Sequence, residues 1–244
     1  MSEESTAIVQ TQANDTLLIH AGAEKRNLQL VVAAEHNPLS VKRSYVIIKR
    51  TFDIIISAFA LIVTSPITLI TAAAIKLEDG GPIIHKRICV GPGNRPYVMH
   101  KFRSMVVNAD DLDHLLSDEQ RKQYIKEVKI TNDPRITRVG RIIRRLSIDE
   151  LPQLFTILKG DMSLVGPRPI VDFEAEFFED EIDLVLSAKP GLTGYWQVYG
   201  RNSAKYETGE RQEMELYYIR NRSLWFDFKL LLKTAYSVLH RRGQ

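Results

Sequence analysis

DPRITRVGRIIRRLSIDELPQLFTILKGDMSLVGPRP, residues 133–169, is the stretch from which the rest of the chain can be read. Two adjacent carboxylates, Asp149 and Glu150, stand directly before Leu151-Pro152. Arg141, Arg144 and Arg145 precede them, and Arg168 follows in a loop braced by Pro167 and Pro169. A proline in the first turn of a helix has no helical N–H bond to lose, so Pro152 sets the frame. Asp149 is the expected N-cap, with Glu150 at N1 and Pro152 at N3. The competing frame, Ser147 as cap and Glu150 at N3, matches a capping box but places Pro152 where proline costs about 3 kcal/mol. From there Leu151, Leu154, Phe155 and Leu158 recur at helical spacing, and Gly160 is a suitable stop. Both carboxylates are thus expected in the positive field of a helix N-terminus, which favours their ionised, nucleophilic or metal-binding forms.

Taken alone, this is a capped acidic helix start of a common kind. Its company changes the reading: two anions among at least four arginines, beside a rigid Gly166-Pro167-Arg168-Pro169 loop. Carboxylates, a magnesium ion and arginines are the usual kit for phosphoryl transfer. The run LSIDELPQLFTILKGDMSLVGPRP also resembles the signature of the bacterial sugar transferases, the monotopic polyprenyl-phosphate phosphoglycosyl transferases. KFRSM (Lys101 to Met105) and KPGLTGYWQVYGRN (Lys189 to Asn202) are similar to that family's other blocks, in the same order.

The resemblance implies that a sugar-1-phosphate passes from a UDP-sugar donor to a polyprenyl (undecaprenyl) phosphate acceptor with release of UMP. This would be the first membrane step of exopolysaccharide or O-antigen assembly. It further implies an aspartyl-phosphosugar intermediate on Asp149, with Asp149 and Glu150 holding Mg2+ or Glu150 positioning the acceptor phosphate. Lys101, Arg103, Arg144 and Arg168 would neutralise the donor diphosphate, Lys101 and Arg103 facing the same way at i, i+2 on a strand. Two other accounts stay open: direct transfer in a ternary complex, and a non-catalytic membrane-surface scaffold, which would release no UMP.

The 244 residues allow one large domain or a domain with an appendage, and 44% apolar content permits a sizeable core. A net charge of +3 says little, but the clustering of the basic residues points to phosphate or anionic lipid. Nucleic acid is not an expected partner, because those residues lie among bilayer-seeking apolar ones. Cys89 is the single cysteine, which rules out an intrachain disulfide and disfavours a cysteine zinc site. The N-terminal residues are polar and acidic, unlike a secretory signal, and residues 1–41 read as a mobile or loosely docked tail.

Ile54 to Ile75 is the strongly apolar segment, long enough as a helix to cross a bilayer core of about 30 Å. Ser65-Pro66 falls near its middle, where proline removes a backbone bond, and each half alone reaches only about 18 Å. Lys42, Arg43, Lys49 and Arg50 lie before the segment and Lys76, Lys86 and Arg87 after it, so the positive-inside rule puts both ends on the cytoplasmic side. A helix-break-helix dipping into one leaflet satisfies these constraints, with Ser65 bonding back to a carbonyl at the break. The expected fold is therefore α+β. A re-entrant membrane helix over 42–76 carries a small catalytic domain, 77–244, with interfacial amphipathic helices, on the cytoplasmic face of a bacterial inner membrane. A homo-oligomer is compatible with this.

Further along, β-like runs flank Gly91-Pro92-Gly93-Asn94, predicting a hairpin with a long loop. Asp110 to Lys129 reads as a mixed-charge surface helix, and the acidic run Val171 to Ser187 as a solvated one. Trp196, Arg201 and Asn202 either engage a nucleobase or belong to an interfacial rim. Two helices are expected from Glu210 onward, the second presenting Phe228, Leu231, Leu232, Ala235 and Leu239 on one face. Glu215 stands where the resembling family commonly has an aspartate, so a role there in metal or acceptor binding is open.

Overall fold

The computed structural model describes residues 41–239 except Asp110, Val128, Lys129, Thr131, Asn202 and Lys205. The expected N-terminal tail and the call on Asn202 lie outside the described residues. Helix α1, Arg43–Asp79, runs 37 residues and ends at Gly80 in the left-handed conformation. Among the described residues it is the one helix long and apolar enough to cross a membrane, with a mean hydropathy of 2.2 in its apolar window.

The polarity of α1 is inside out. Asp53, Ser57, Thr71 and Ile75 are buried, and Ala60, Leu61, Thr64, Thr68 and Ala72 are half-buried, which draws one stripe at helical spacing. That stripe is mostly small or polar, and it faces the rest of the protein. Phe52, Ile55, Phe59, Ile62, Val63, Leu69 and Ile70 point outward and are exposed. Asp53 accepts from Ser163 Oγ at 3.0 Å and from the Leu164 N–H at 2.9 Å, while Ile75 packs with Phe102 and Ile143. The helix therefore touches the globular part at both ends of its apolar stretch. No interruption of the helix occurs at Ser65-Pro66. Thr64 Oγ1 donates to Ala60 O at 2.7 Å and Ser65 Oγ to Ile62 O at 2.8 Å, so hydroxyls compensate locally where proline removes a donor.

After α1, β1 (Ile84–Gly91) and β2 (Arg95–Phe102) pair antiparallel from Ile84↔Phe102 to Gly91↔Arg95. The hairpin is as expected but its loop is short. Only Pro92 to Asn94 separate the strands, because Gly93 and Asn94 both take positive φ and reverse the chain at once. The mixed-charge segment forms one turn, Leu112–Leu115, and helix α2, Asp118–Glu127.

Helix α3, Arg138–Arg145, starts at Thr137, whose hydroxyl accepts the Gly140 N–H at 2.9 Å. A Cβ at Gly140 would stand 2.0 Å from Ser104 O, so only glycine lets α3 lie this close to the chain leaving β2. Helix α4, Gln153–Lys159, follows the carboxylate pair. Arg50 of α1 donates to Ile157 O at 2.6 Å and Leu158 O at 2.7 Å, capping the negative end of α4 with a guanidinium.

Short strands β3 (Ser163–Val165) and β4 (Gly191–Thr193) pair in parallel. Gly166 abuts Lys189 O so closely that a Cβ there would lie 2.2 Å away, which fixes the entry to the Pro167-Arg168-Pro169 loop. The chain closes with helices α5 (Tyr195–Tyr199), α6 (Glu210–Asn221) and α7 (Leu224–Leu239). The main core joins β1, β2, α4, β3, α6 and α7 through residues such as Met99, Ile157, Leu164, Tyr218 and Leu230. The face of α7 that packs is centred on Leu230. The face carrying Phe228 and Leu232 is exposed, with Trp225 and Tyr236.

The acidic run is not a solvated helix. It breaks into short turns around Asp172–Ala175, Glu176–Glu181 and Ile182–Val185, with Glu179 at φ 47°. Glu174 is fully buried among the flanking Ala175 and Phe178.

Candidate active site

The carboxylate pair does not sit at a helix cap. Ser147 takes the left-handed conformation, Ile148–Glu150 form a single 3-10 turn, and α4 begins only at Gln153. Pro152 falls between the turn and the helix and caps the latter without a side-chain bond. The turn is closed by the Leu151 N–H donating to Ile148 O at 3.1 Å, and Leu154 donates to Leu151 O at 3.1 Å. A 3-10 turn spends one residue fewer per bond than an α-helix, which slid the pair out of the frame that Pro152 suggested.

Around this turn the structure gathers part of the expected site. Lys101, from the end of β2, reaches Glu150 Oε1 at 3.4 Å. Arg144, near the end of α3, and Lys101 are the two cations that act on Asp149. Among the described residues no other side chain donates a hydrogen bond to the Asp149 carboxylate. Burial, then the neighbouring charge of Glu150, pushes the Asp149 carboxyl up to about 6 in spite of both cations. The expected helix-terminus stabilisation is absent, because the donors of α4 start too late to face this carboxylate. Lys101→Met should therefore raise the Asp149 pKa further and move the acid limb of turnover toward neutrality. A pH–rate profile that stays in place would remove Lys101 from the site.

Two hard oxygen ligands side by side, one of them with no side-chain hydrogen-bond donor, fit a magnesium ion, which takes one or two carboxylates and fills its other positions with water and substrate phosphate. No group of three or more candidate metal-binding side chains occurs among the described residues, so any ion here depends on this pair.

Arg103 is not part of the site. The strand ends at Phe102, and Arg103 turns inward, donating Nε to Pro82 O at 2.6 Å and forking onto both carboxylate oxygens of Asp79. It is 7% exposed and ties the end of α1 to the hairpin. Arg103→Met should lower stability by about 1–3 kcal/mol, an interval discounted for the exposed side of Asp79. Donor KM should stay unchanged; a raised KM with normal melting would restore Arg103 to phosphate binding.

Arg168 belongs to a second cluster. Its Nη1 donates to Glu174 Oε1 at 2.8 Å, and its backbone N–H to Glu215 Oε2 at 3.1 Å. Arg211 lies between the rings of Trp196 and Tyr206, 4.0 and 3.8 Å from their centroids. Burial brings the Arg211 guanidinium down to about 10, with Arg168 adding to the effect, and burial raises Glu215 to about 7 against the pull of Arg211. Burial works against the ionised Glu174 as well, yet Arg168 and the Val171 N–H hold its carboxyl below the usual range. Burial pushes the Cys89 thiol up, while Arg87, Arg168 and Lys101 act against that shift.

Glu215 is thus a buried partner of the Arg168 backbone, under the charges of Arg211 and Arg168. Trp196 stands beside Arg168, but Arg211 already covers one of its faces, and Arg201 is exposed. Glu174, Arg211 and Tyr206 were hidden from sequence reasoning. The only cue to Glu174 is its place three residues after Val171, where it accepts that N–H at 3.0 Å.

Residues 44–241 match the family described as bacterial sugar transferase. The chain belongs to that family. The transferase is 51% identical over 169 residues to the undecaprenyl-phosphate galactose phosphotransferase of Salmonella typhimurium, covering 68% of this chain and 35% of that protein. It is 41% identical over 179 residues to the UDP-N-acetylgalactosamine-undecaprenyl-phosphate N-acetylgalactosaminephosphotransferase of Aeromonas hydrophila, covering 72% and 40%. It is 37% identical over 182 residues to the exopolysaccharide production protein ExoY of Rhizobium meliloti, covering 73% and 80%. The transferase chain thus spans little more than a third of the first of these relatives and most of the last.

Proposed function

We propose that this transferase moves a sugar-1-phosphate from a UDP-sugar to undecaprenyl phosphate at a membrane surface, with Asp149 as nucleophile. The observation that carries the reading is the half-buried Asp149 carboxylate. It has no protein hydrogen-bond donor from another side chain, and it lies beside Glu150 and within reach of Lys101 and Arg144. The names of the relatives supply the substrate class.

In the first step an Asp149 carboxylate oxygen attacks the phosphorus that bears the sugar. The bond from that phosphorus to the bridging oxygen breaks, and UMP leaves with the electron pair. In the second step an oxygen of the acceptor phosphate attacks the same phosphorus and Asp149 leaves as carboxylate. Both steps shift negative charge onto non-bridging oxygens, which Lys101 and Arg144 are placed to offset. Mg2+ held by Asp149 and Glu150 would spread the charge of the diphosphate. Arg168, fixed by Glu174 and Glu215, would offer a rigid guanidinium to the nucleotide end of the donor.

The membrane reading rests on the inside-out polarity of α1. A helix that contacts the globular part at Asp53 and again at Ile75 keeps both ends of its apolar stretch on one side, and cations flank both ends. On this account α1 lies in one leaflet by its outer face without crossing, on the cytoplasmic side of the inner membrane. Cysteines placed at Arg43 and Lys76 should be labelled from the same side of inside-out vesicles; opposite accessibility would mean a span.

The test of the chemistry is incubation of the whole chain with UDP-sugar and Mg2+ without acceptor. A mass increase of one sugar-phosphate on the peptide containing Asp149 is expected. UMP release that begins only on adding undecaprenyl phosphate, with no adduct, would favour direct transfer.

A further inference from the structure

A cavity of about 300 Å³ opens at the tip of the β1–β2 hairpin, lined by Arg95 and Tyr97 on one side and by Gly160, Asp161 and Lys189 on the other. Lys101 lies six positions after Arg95 on β2, a distance of roughly 20 Å along the strand, so this cavity is not the transfer site. Its walls are cationic. A Cβ on Gly160 would meet Arg50 Nη2 at 3.4 Å and Lys189 Nζ at 3.6 Å, so two like charges converge on one point.

Arg50 is already committed to the carbonyls of Ile157 and Leu158 and cannot turn away. Lys189 and Arg95 have no hydrogen bond or ion pair among the described residues. Burial, then the charge of Arg50, lowers the Lys189 pKa, the mark of an ammonium held where its charge is opposed. The one acid in the wall, Asp161, pairs with Lys159 at 3.8 Å. Tyr97 helps to line the cavity, but its hydroxyl is closed off in the core, in the same cluster as Cys89.

We propose that this cavity binds the phosphate group of an anionic lipid, with Lys189 and Arg95 as the charged contacts. A phosphate is the matching chemistry, since it accepts from an ammonium and a guanidinium together. A lipid is the favoured source because Arg50 stands one turn before Ile54, where the apolar stretch of α1 begins, and its helix neighbours Ile47 and Ile54 are exposed. If that stretch lies among acyl chains, Arg50 and the cavity beside it lie at headgroup depth. This part rests on the membrane reading of α1 and is independent of the chemistry at Asp149.

The experiment compares the whole chain with an Arg95→Gln/Lys189→Gln double variant and with Tyr97→Phe, a control that alters one atom closed off from the cavity. Flotation on neutral phosphatidylcholine vesicles reads α1 alone and should be equal for all three. Failure of the unmodified chain to float there would overturn the membrane reading and, with it, the lipid source. Native mass spectrometry of the detergent-solubilised chain with added phosphatidate should then show a one-lipid adduct. That adduct should weaken by about tenfold in the double variant and stay unchanged in Tyr97→Phe. Equal adducts in all three proteins would overturn the site. Millimolar inorganic phosphate should compete only weakly with the lipid. If it raises the melting temperature of the unmodified chain, not that of the double variant, while phosphatidate gives no adduct, the lipid source is wrong.

Discussion

Asp149→Asn is expected to abolish UMP release, by on the order of 10³-fold or more, while making the protein more stable above pH 6. The two halves of that expectation come from one observation, a carboxyl pushed up to about 6 by burial and by Glu150. A folded-state pKa above the ordinary carboxylate value favours the native state fully below that ordinary value. The advantage is lost as pH rises through about 6, where the native state must carry a charge that the unfolded chain solvates better. A shift of about two units corresponds to about 3 kcal/mol. The asparagine removes that charge, so its gain should be largest near pH 8 and shrink to nothing by about pH 4. Urea unfolding at those two pH values in magnesium-free buffer measures it. A variant that is inactive because it is unfolded would show the opposite sign, and one that keeps its activity would remove Asp149 from the mechanism.

A carboxylate that costs stability where it stands calls for an explanation other than folding, and the sequence reaches the same residue by a different argument. The residues Asp149, Glu150, Lys101 and Arg144 can be picked out by type and company. Their frame cannot, because Pro152 suits both a first-turn position and the exit of a 3-10 turn, and only the left-handed Ser147 decides between them. Arg103 misleads because alternation along a strand holds only while the strand lasts. β2 stops one residue short, and the partner that captures Arg103 is Asp79, on the far side of the hairpin. The apolar stretch of α1 is legible from composition. That its inner stripe is the polar one shows only once Asp53 is found bonded to Leu164.

The cluster around Arg168 is legible only in part: Arg168, Trp196 and Glu215 can be singled out, but Glu174 lies in an acidic run that reads as solvated, and nothing marks Arg211 or Tyr206 as partners. Its arrangement explains how a loop of Gly166-Pro167-Arg168-Pro169 keeps one conformation. Gly166 donates to Thr193 O at 2.9 Å, Gly191 to Pro167 O at 2.8 Å, and the Arg168 N–H is taken by Glu215. The proline rings restrict the two positions that no N–H can hold. Backbone bonds thus hold the loop, and carboxylates aim its side chain.

Glu174→Ala should be the most destabilising single change outside the hydrophobic core, at about 3–5 kcal/mol. Glu174 is fully buried, ion-paired with Arg168 at 2.8 Å, and 4.0 Å from Arg211 Nη2. Removing it leaves two guanidiniums facing each other with only Glu215 between them, and Glu215 is the weaker counter-ion because burial has raised it to about 7. Glu174→Gln should cost roughly half as much, since its amide oxygen can still accept the Val171 N–H. The loss should deepen as pH falls below 7, when Glu215 takes up its proton and the last opposing charge disappears. Unfolding of both variants and of Glu174→Ala/Arg168→Met separates these contributions. If the pair is the cause, deleting the unpaired guanidinium should return part of the lost stability; if the double variant is simply the sum of two losses, Glu174 is a packing residue and Arg168 is aimed by something else.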